Sequence, residues 1–177
     1  MEIDNRHLFF RYCPRCGKAA TKPPVPGLFD CSACGFHYHL NPASAAAVFI
    51  RDRKGRLLWA CRANEPHRGM LTIPGGFIDV GETAEETARR ETREEVGLEL
   101  ETLEYLGSQV NVYPYREVIY PVTDIFYTSE VESLEAAKPL NELTELLLLK
   151  PGEVDPNRIA FRSVRAGFEV YRRKYAV

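Results

Sequence analysis

The rhythm of apolar residues changes near residue 42. Residues 1–40 show little apolar periodicity and are interrupted by "TKPPVPG" (21–27), which predicts a segment unable to bury a core of its own. After "NPAS" the pattern becomes regular. "AAAVFIRD" (45–52) and "RLLWACR" (56–62) predict two strands joined by a turn at "RKGR". "MLTIPGGFI" (70–78) predicts a strand running into a glycine turn, and residues 83–96 predict a helix that Gly97 stops. "LELETLEYLGSQVNVYP" (98–114) and "REVIYPVTDIFYTSEV" (116–131) are strand-like, with a proline-containing loop expected between them. "ELTELLLL" (142–149) predicts a loop and then a short buried strand. "RIAFRSVRAGFEVYRRKY" (158–175) predicts a helix with Ile159, Val164, Phe168 and Tyr171 near one face. Two long helices among five or six strands give an α/β class.

With 177 residues, one domain carrying an appendage is expected: residues 1–41 as a small module and 42–177 as the main domain. The hydrophobic content of 45% suffices for a packed core, and the formal net charge of −2 offers no global attraction for nucleic acid or anionic lipid. No apolar run approaches the ~18 residues of a membrane span, so no membrane partner is expected. "MEIDNRHLFF" lacks the apolar core of a signal peptide, and a cytoplasmic location is expected.

That location bears on the cysteines. Four of the five form two knuckles, Cys13/Cys16 in "CPRCG" and Cys31/Cys34 in "CSACG". In a reducing compartment such pairs read as metal ligands. Each Cys-x-x-Cys turn points both sulfurs at one ion, and two knuckles supply the four thiolates of a closed, structural Zn²⁺ site. Its expected role is to staple a segment too small to fold alone. Arg11, Arg15, Lys18 and Lys22 add a modest local positive charge that admits a nucleic-acid role. His37 and His39 follow the second knuckle and read as surface or packing residues. Cys61 lies in a predicted strand and reads as a small buried hydrophobe.

The helix over 83–96 poses an electrostatic problem. At about 100° per residue, Glu91, Glu94 and Glu95 fall within an arc of about 100°. Ala84, Ala88, Thr92 and Val96 form the adjacent i+4 row, small and mostly apolar, suited to packing on a sheet. The carboxylates thus lie beside the buried face. Glu85–Arg89 and Glu86–Arg90 fit i,i+4 ion pairs, but Glu91 and Glu95 repel at the same spacing. A hard divalent cation held by carboxylate oxygens resolves the repulsion, and Mg²⁺ commonly shares its coordination with phosphates.

Gly76, five residues, Glu82, seven residues, and then "RETREEVGL" (90–98) resemble the Nudix box, with Thr92 where the family prefers a bulky aliphatic. The resemblance implies a Nudix α/β/α sandwich with a mixed sheet, here preceded by a zinc ribbon. It implies Mg²⁺- or Mn²⁺-dependent hydrolysis of the pyrophosphate of a nucleoside diphosphate linked to another moiety. Glu91, Glu94 and Glu95 would ligate the cation, with Glu82 joining them or standing behind, and Arg90 would orient a glutamate. Gly75 and Gly76 would let the loop pass close to the site. The cation acidifies a water whose proton a carboxylate accepts, either Glu94 or a later residue such as Glu142 or Glu145.

A four-cysteine ribbon before such a domain resembles the NADH pyrophosphatase branch, whose signature is Ser-Gln-Pro-Trp-Pro-Phe-Pro-x-Ser. Here "SQVNVYPYR" keeps Ser108, Gln109 and Pro114, and Tyr113 replaces the Phe. Pro114 also lies sixteen residues after Leu98, a spacing that resembles ADP-ribose hydrolases. Tyr113, Tyr115, Phe9, Phe10 and Tyr12 are candidates for stacking on adenine, or for the core. Three readings follow: a pyrophosphohydrolase of ADP-ribose, NADH or a similar conjugate; a hydrolase of nucleotide-capped RNA; and a non-catalytic nucleotide sensor. Expected partners are a small nucleotide conjugate or, on the second reading, capped RNA; a homodimer is admitted.

Overall fold

A computed structural model describes residues 4–20 and 25–175. By packing, the chain forms two compact units. One comprises the described residues up to Ala43 together with Val112–Val122; the other comprises Ser44–Asn111 and Thr123–Val177 as far as described.

In the first unit, β1 (Leu28–Asp30) and β2 (His37–His39) pair antiparallel, with Asp30 opposite His37. A miniature core does form here: Cys13, Phe29 and Cys31 are buried, and Phe10, Cys34 and Phe36 pack on them. The cysteines are part of that core, which explains why apolar periodicity did not reveal it. The Asn5 side chain ties the same unit to residues far along the chain. Its Nδ2 donates to Glu117 O at 2.9 Å, and its Oδ1 accepts from Ile119 N at 2.7 Å.

The second unit is built on β3 (Ala43–Asp52), β4 (Leu57–Arg62), β5 (Leu71–Thr72), β6 (Gly75–Phe77), α1 (Ala84–Val96), β7 (Glu104–Tyr115), β8 (Val118–Val131), β9 (Leu143–Leu149) and α2 (Arg162–Tyr175). The sheet order is β5-β4-β3-β8-β7, with β6 pairing β3 and β9 pairing β4. Strand alternation sends side chains to opposite faces. Ala46, Val48 and Ile50 of β3 and Leu58 and Ala60 of β4 form one buried cluster with Ala88 and Val96 of α1. On the other face Phe49 and Trp59 meet Phe168 of α2, at ring separations of 6.2 and 5.2 Å. Both faces are therefore covered by a helix, the expected α/β/α sandwich. The β3–β4 turn is secured by buried Asp52, which accepts from Lys54 N at 3.0 Å and Arg56 N at 2.9 Å.

Three expectations need correction. The β7–β8 connection is a tight turn at Arg116 and Glu117 rather than a proline loop; Pro114 lies within β7, and Arg116 takes φ 53°. Strand β9 is only half-buried beyond Leu143, because it flanks β4 on one edge. Helix α2 begins at Arg162, not 158. Pro156–Arg158 forms a 3-10 turn, and buried Ile159 makes a parallel bridge to Leu71 before the helix starts.

Candidate functional site

The acidic residues are placed by a well-bounded helix. Thr83 caps α1: its hydroxyl accepts from Glu86 N at 3.2 Å, and the Glu86 carboxylate accepts from Thr83 N at 2.8 Å. Gly97 closes the helix in the left-handed region at φ 70°. Ala88, Thr92 and Val96 are fully buried, as the small i+4 row predicts. Thr92 fits there because its hydroxyl donates to Ala88 O at 2.7 Å, within its own helix. The i,i+4 pairs expected of Glu85 and Glu86 do not form. Glu86 serves the cap, Glu85 accepts from Tyr127 OH at 2.6 Å, and Arg89 donates to Glu101 O at 3.2 Å.

Arg90 instead gathers carboxylates. It grips Glu82 with two bonds, Nε to Oε1 at 2.8 Å and Nη2 to Oε2 at 3.0 Å, and donates to Glu91 at 2.7 Å and Glu94 at 3.4 Å. This fork, with Thr87 OH donating at 2.7 Å, pulls the Glu82 carboxyl down to about 2. Glu82 thus stands behind Arg90. Glu91 is half-buried and Glu94 exposed, while Glu95 is 9% exposed. Burial raises the Glu91 carboxyl and pushes Glu95 up to about 8; Glu91 and Glu142 add repulsion at Glu95, and the Gly75 amide and Arg62 oppose it. Two carboxyls disfavoured as anions by burial and by neighbouring carboxylates are what a cation would relieve.

The glycine turn fits against these groups. Gly75 N donates to Glu95 Oε2 at 3.0 Å. A Cβ on Gly76 would overlap the Glu91 carboxylate, and one on Gly75 would overlap the backbone of Ala46 and Ala47 in β3. The missing side chains let the loop lie directly on the acid cluster.

The later acidic residues arrive by helix capping. After Gly97 the last carbonyls of α1 need donors. Lys138 N reaches Val96 O at 3.1 Å, Leu140 N reaches Glu95 O at 2.9 Å, and Asn141 Nδ2 reaches Glu94 O at 3.0 Å. The loop that supplies these bonds carries Glu142 within electrostatic reach of Glu91 and Glu95. Glu145 sits on β9 opposite Cys61 rather than in a loop, with Cys61 Sγ 3.8 Å from its Oε2. Cys61 is buried, as expected, and burial raises its thiol.

Sequence reasoning missed Arg62. A register shift between Cys61 and Arg62 where β4 meets β9 re-aims it. Its Nε donates to Pro66 O at 2.8 Å, its guanidinium lies 4.9 Å from the Phe161 ring centre, and its charge acts on Glu95. Nothing in the local pattern marks a bulge there.

In the first unit the four sulfurs lie within 4.8 Å of one another, and all four cysteines are free thiols. Cys13–Cys34 and Cys16–Cys31 are each separated by 3.8 Å. That is the edge of a sulfur tetrahedron around an ion with bonds of about 2.3 Å, so the set fits a metal ion. Arg11, Arg15 and Lys18 are exposed, and Lys22 lies outside the described residues. Phe10 belongs to the ribbon core, 5.4 Å from Phe29, whereas Phe9, Tyr12 and Tyr115 are exposed. Tyr113 is half-buried and Pro114 exposed; both group with the cysteine unit and not with the glutamates. Among the described residues, no helix is long and apolar enough to cross a membrane.

A family model described as the NUDIX domain matches residues 41–167. The NAD-capped RNA hydrolase NudC of Haemophilus influenzae (strain PittGG) is 28% identical over 122 residues, covering 67% of this chain and 46% of that protein. The NAD(P)H pyrophosphatase NUDT13, mitochondrial, of Homo sapiens is 36% identical over 108 residues, covering 61% of this chain and 30% of that protein. The chain spans about half the length of the NudC relatives it matches. Among solved structures, a NUDIX hydrolase from Nitrosomonas europaea has a TM-score of 0.67 at 23% identity, covering 93% of each chain. The NUDIX domain of Shewanella oneidensis NrtR, solved in complex with ADP ribose, has a TM-score of 0.63 at 19% identity, covering 76% of this chain and 89% of that one. Both likenesses are in fold.

Proposed function

This chain belongs to the NUDIX family, and on that premise we propose that it hydrolyses the pyrophosphate bond of a nucleoside diphosphate joined to a second group, ADP-ribose, NADH or a similar conjugate. The observation that carries the reading is the acid cluster itself. Glu91 and Glu95 are held against a glycine turn with no room for a side chain, and burial opposes their charge. Glu91, Glu94 and Glu95 would hold Mg²⁺ or Mn²⁺, which would neutralise the pyrophosphate and acidify water.

The chain's own residues do the rest. Arg90, fixed by Glu82, sets the orientation of Glu91 and Glu94. Glu94 is the exposed carboxylate of the set and can accept a proton from water; Glu142 and Glu145 are the alternatives. Gly75 and Gly76 admit the anhydride to the cluster, and Arg62 provides positive charge beside Glu95. Tyr113 and Pro114 are proposed to contact the nucleotide.

We assign residues 1–41 to a zinc ribbon and 42–177 to the hydrolase domain, and place the protein in the cytoplasm. The four thiolates would hold Zn²⁺ structurally. A second reading, removal of a nucleotide cap from RNA, is favoured by the names of the NudC relatives and by the exposed Arg11, Arg15 and Lys18. The complete glutamate set argues against a non-catalytic sensor.

The test is a panel of ADP-ribose, NADH, NAD⁺, FAD and NAD-capped RNA with Mg²⁺ or Mn²⁺, with the products identified as a nucleoside monophosphate and the monophosphate of the second group. Val110, Asn111 and Val112 stand where the NADH branch has Pro-Trp-Pro, and proline restricts backbone shape. We therefore expect ADP-ribose to be used at least as well as NADH. An NADH preference above about tenfold in kcat/KM, roughly 1.4 kcal/mol, contradicts that ranking; no hydrolysis of any member contradicts the activity.

A further inference from the structure

The sulfur cluster and the acid helix leave one group of metal-binding side chains without a role. His37 and His39 are two apart on β2, so their side chains leave the same face of the strand. Asp30 lies opposite His37 in the β1–β2 register, which brings its carboxylate onto that face. His37 Nδ1 and Asp30 Oδ1 are 2.7 Å apart, and the two Nε2 atoms of His37 and His39 are 3.1 Å apart. The rings stand edge to face with centroids 4.8 Å apart.

These contacts fix the chemistry. The Asp30 carboxylate accepts from Nδ1–H of His37, which in the neutral imidazole leaves the lone pair on Nε2. In that tautomer the proton of the 3.1 Å contact sits on Nε2 of His39. If His39 moves its proton to Nδ1, both Nε2 atoms become free donors with no net proton release. A separation of 3.1 Å is close to that of two nitrogens bound to one ion at about 2.0–2.1 Å each. Carboxylate–histidine pairing behind the ligand is also how proteins fix the tautomer and raise the basicity of a metal-binding imidazole.

We propose that the β1–β2 ribbon carries a second, surface site for a divalent first-row transition metal on His37 and His39 Nε2, with Asp30 as the positioning residue. It is distinct from the sulfur site: the four cysteines form a complete set among the described residues, and neither histidine belongs to it. Two imidazoles and open positions suit Cu²⁺ or Ni²⁺, and the affinity order puts Cu²⁺ first. Both histidines are exposed, so an ion can enter directly and water can complete its coordination.

The test is a Cu²⁺ titration of the full chain, loaded with zinc on its thiolates and held in excess Mg²⁺ to occupy the carboxylates. Wild type should retain one copper per chain at micromolar copper. Its electron paramagnetic resonance spectrum should show two imidazole nitrogens, and the ring signals of His37 and His39 should broaden selectively. His37→Ala and His39→Ala should each abolish this binding without changing zinc content or circular dichroism, because both side chains are exposed. Asp30→Asn should weaken binding about 10-fold or more and leave the nitrogen count at two. Copper retained unchanged in the double alanine variant overturns the proposal, as does binding centred on His7 or His67 or no binding at all. Unchanged affinity in Asp30→Asn overturns the positioning role.

Discussion

The backbone amide of Gly75 donates to the carboxylate of Glu95 across 3.0 Å. This bond joins the glycine turn and the acidic helix, which lie twenty positions apart in the chain. It holds the most buried carboxylate of the cluster in place and leaves that of Glu91 lying against Gly76.

The two glycines should therefore fail differently. In Gly75→Ala the new methyl meets fixed backbone of β3, so the variant should lose stability by about 1–3 kcal/mol. In Gly76→Ala it meets only the movable end of Glu91, so thermal stability should hold while turnover falls. Melting curves and initial rates on both variants check this; equal stability losses contradict it.

Glu95 makes stability depend on pH. Its carboxyl is raised from 4.5 to about 8, chiefly by burial. A raised folded value means the protonated form is favoured in the fold. The stabilisation is complete below about pH 4.5 and is lost as pH rises through 8. In magnesium-free buffer, Glu95→Gln should escape that loss and be more stable than wild type at pH 8.5, on the order of 3 kcal/mol. Mg²⁺ should stabilise wild type more at pH 8.5 than at pH 6. A Glu95→Gln melting profile parallel to wild type across this range contradicts the assignment.

Arg90 and Glu82 carry the opposite sign. Glu82 is lowered from 4.5 to about 2 by Arg90, so its contribution is present above pH 4.5 and disappears as pH falls toward 2. Arg90→Lys keeps the charge but cannot make the two-bond grip on Glu82. Its acid unfolding should begin at higher pH than that of wild type, and its kcat should fall because Glu91 and Glu94 lose a common anchor. Acid titration followed by circular dichroism, with rates at neutral pH, checks both; an unshifted acid transition contradicts the first.

Much of α1 was legible because its signals are local. The small row of Ala88, Thr92 and Val96 and the stop at Gly97 act within a few residues of one another. The strands around Phe49 and Trp59 were legible for the same reason, since alternation is a local pattern. What escaped depends on partners distant in sequence. Asn141 reaches the carbonyl of Glu94, 47 residues earlier, and that contact places Glu142. Asn5 reaches Glu117, 112 residues later, and nothing near either residue announces it. Glu85 and Glu86 misled because intrahelical ion pairs are weak, a few tenths of a kcal/mol, and both a cap and the hydroxyl of Tyr127 offered better partners.

The ribbon prediction separates folding from catalysis. Purified protein should contain about one zinc per chain. Cys13→Ser should lower that content and expose the small core of Phe29, Cys31 and Phe10, because a structural metal contributes its binding energy to folding. Metal analysis together with proteolysis of the ribbon checks it; a folded, protease-resistant ribbon with four free thiols and no zinc contradicts it.

The most direct test of the central claim, that the α1 glutamates hold the cation for pyrophosphate hydrolysis, is the rate of Glu94→Gln. Glu94 is exposed, and its bond from Arg90 is a long one at 3.4 Å, so the substitution should leave the melting temperature and zinc content unchanged. With ADP-ribose or NADH and saturating Mg²⁺, the account predicts a fall in turnover of at least about 10²-fold, the usual scale for removing a metal ligand or proton acceptor. A Glu94→Gln enzyme that turns over at the wild-type rate would contradict it.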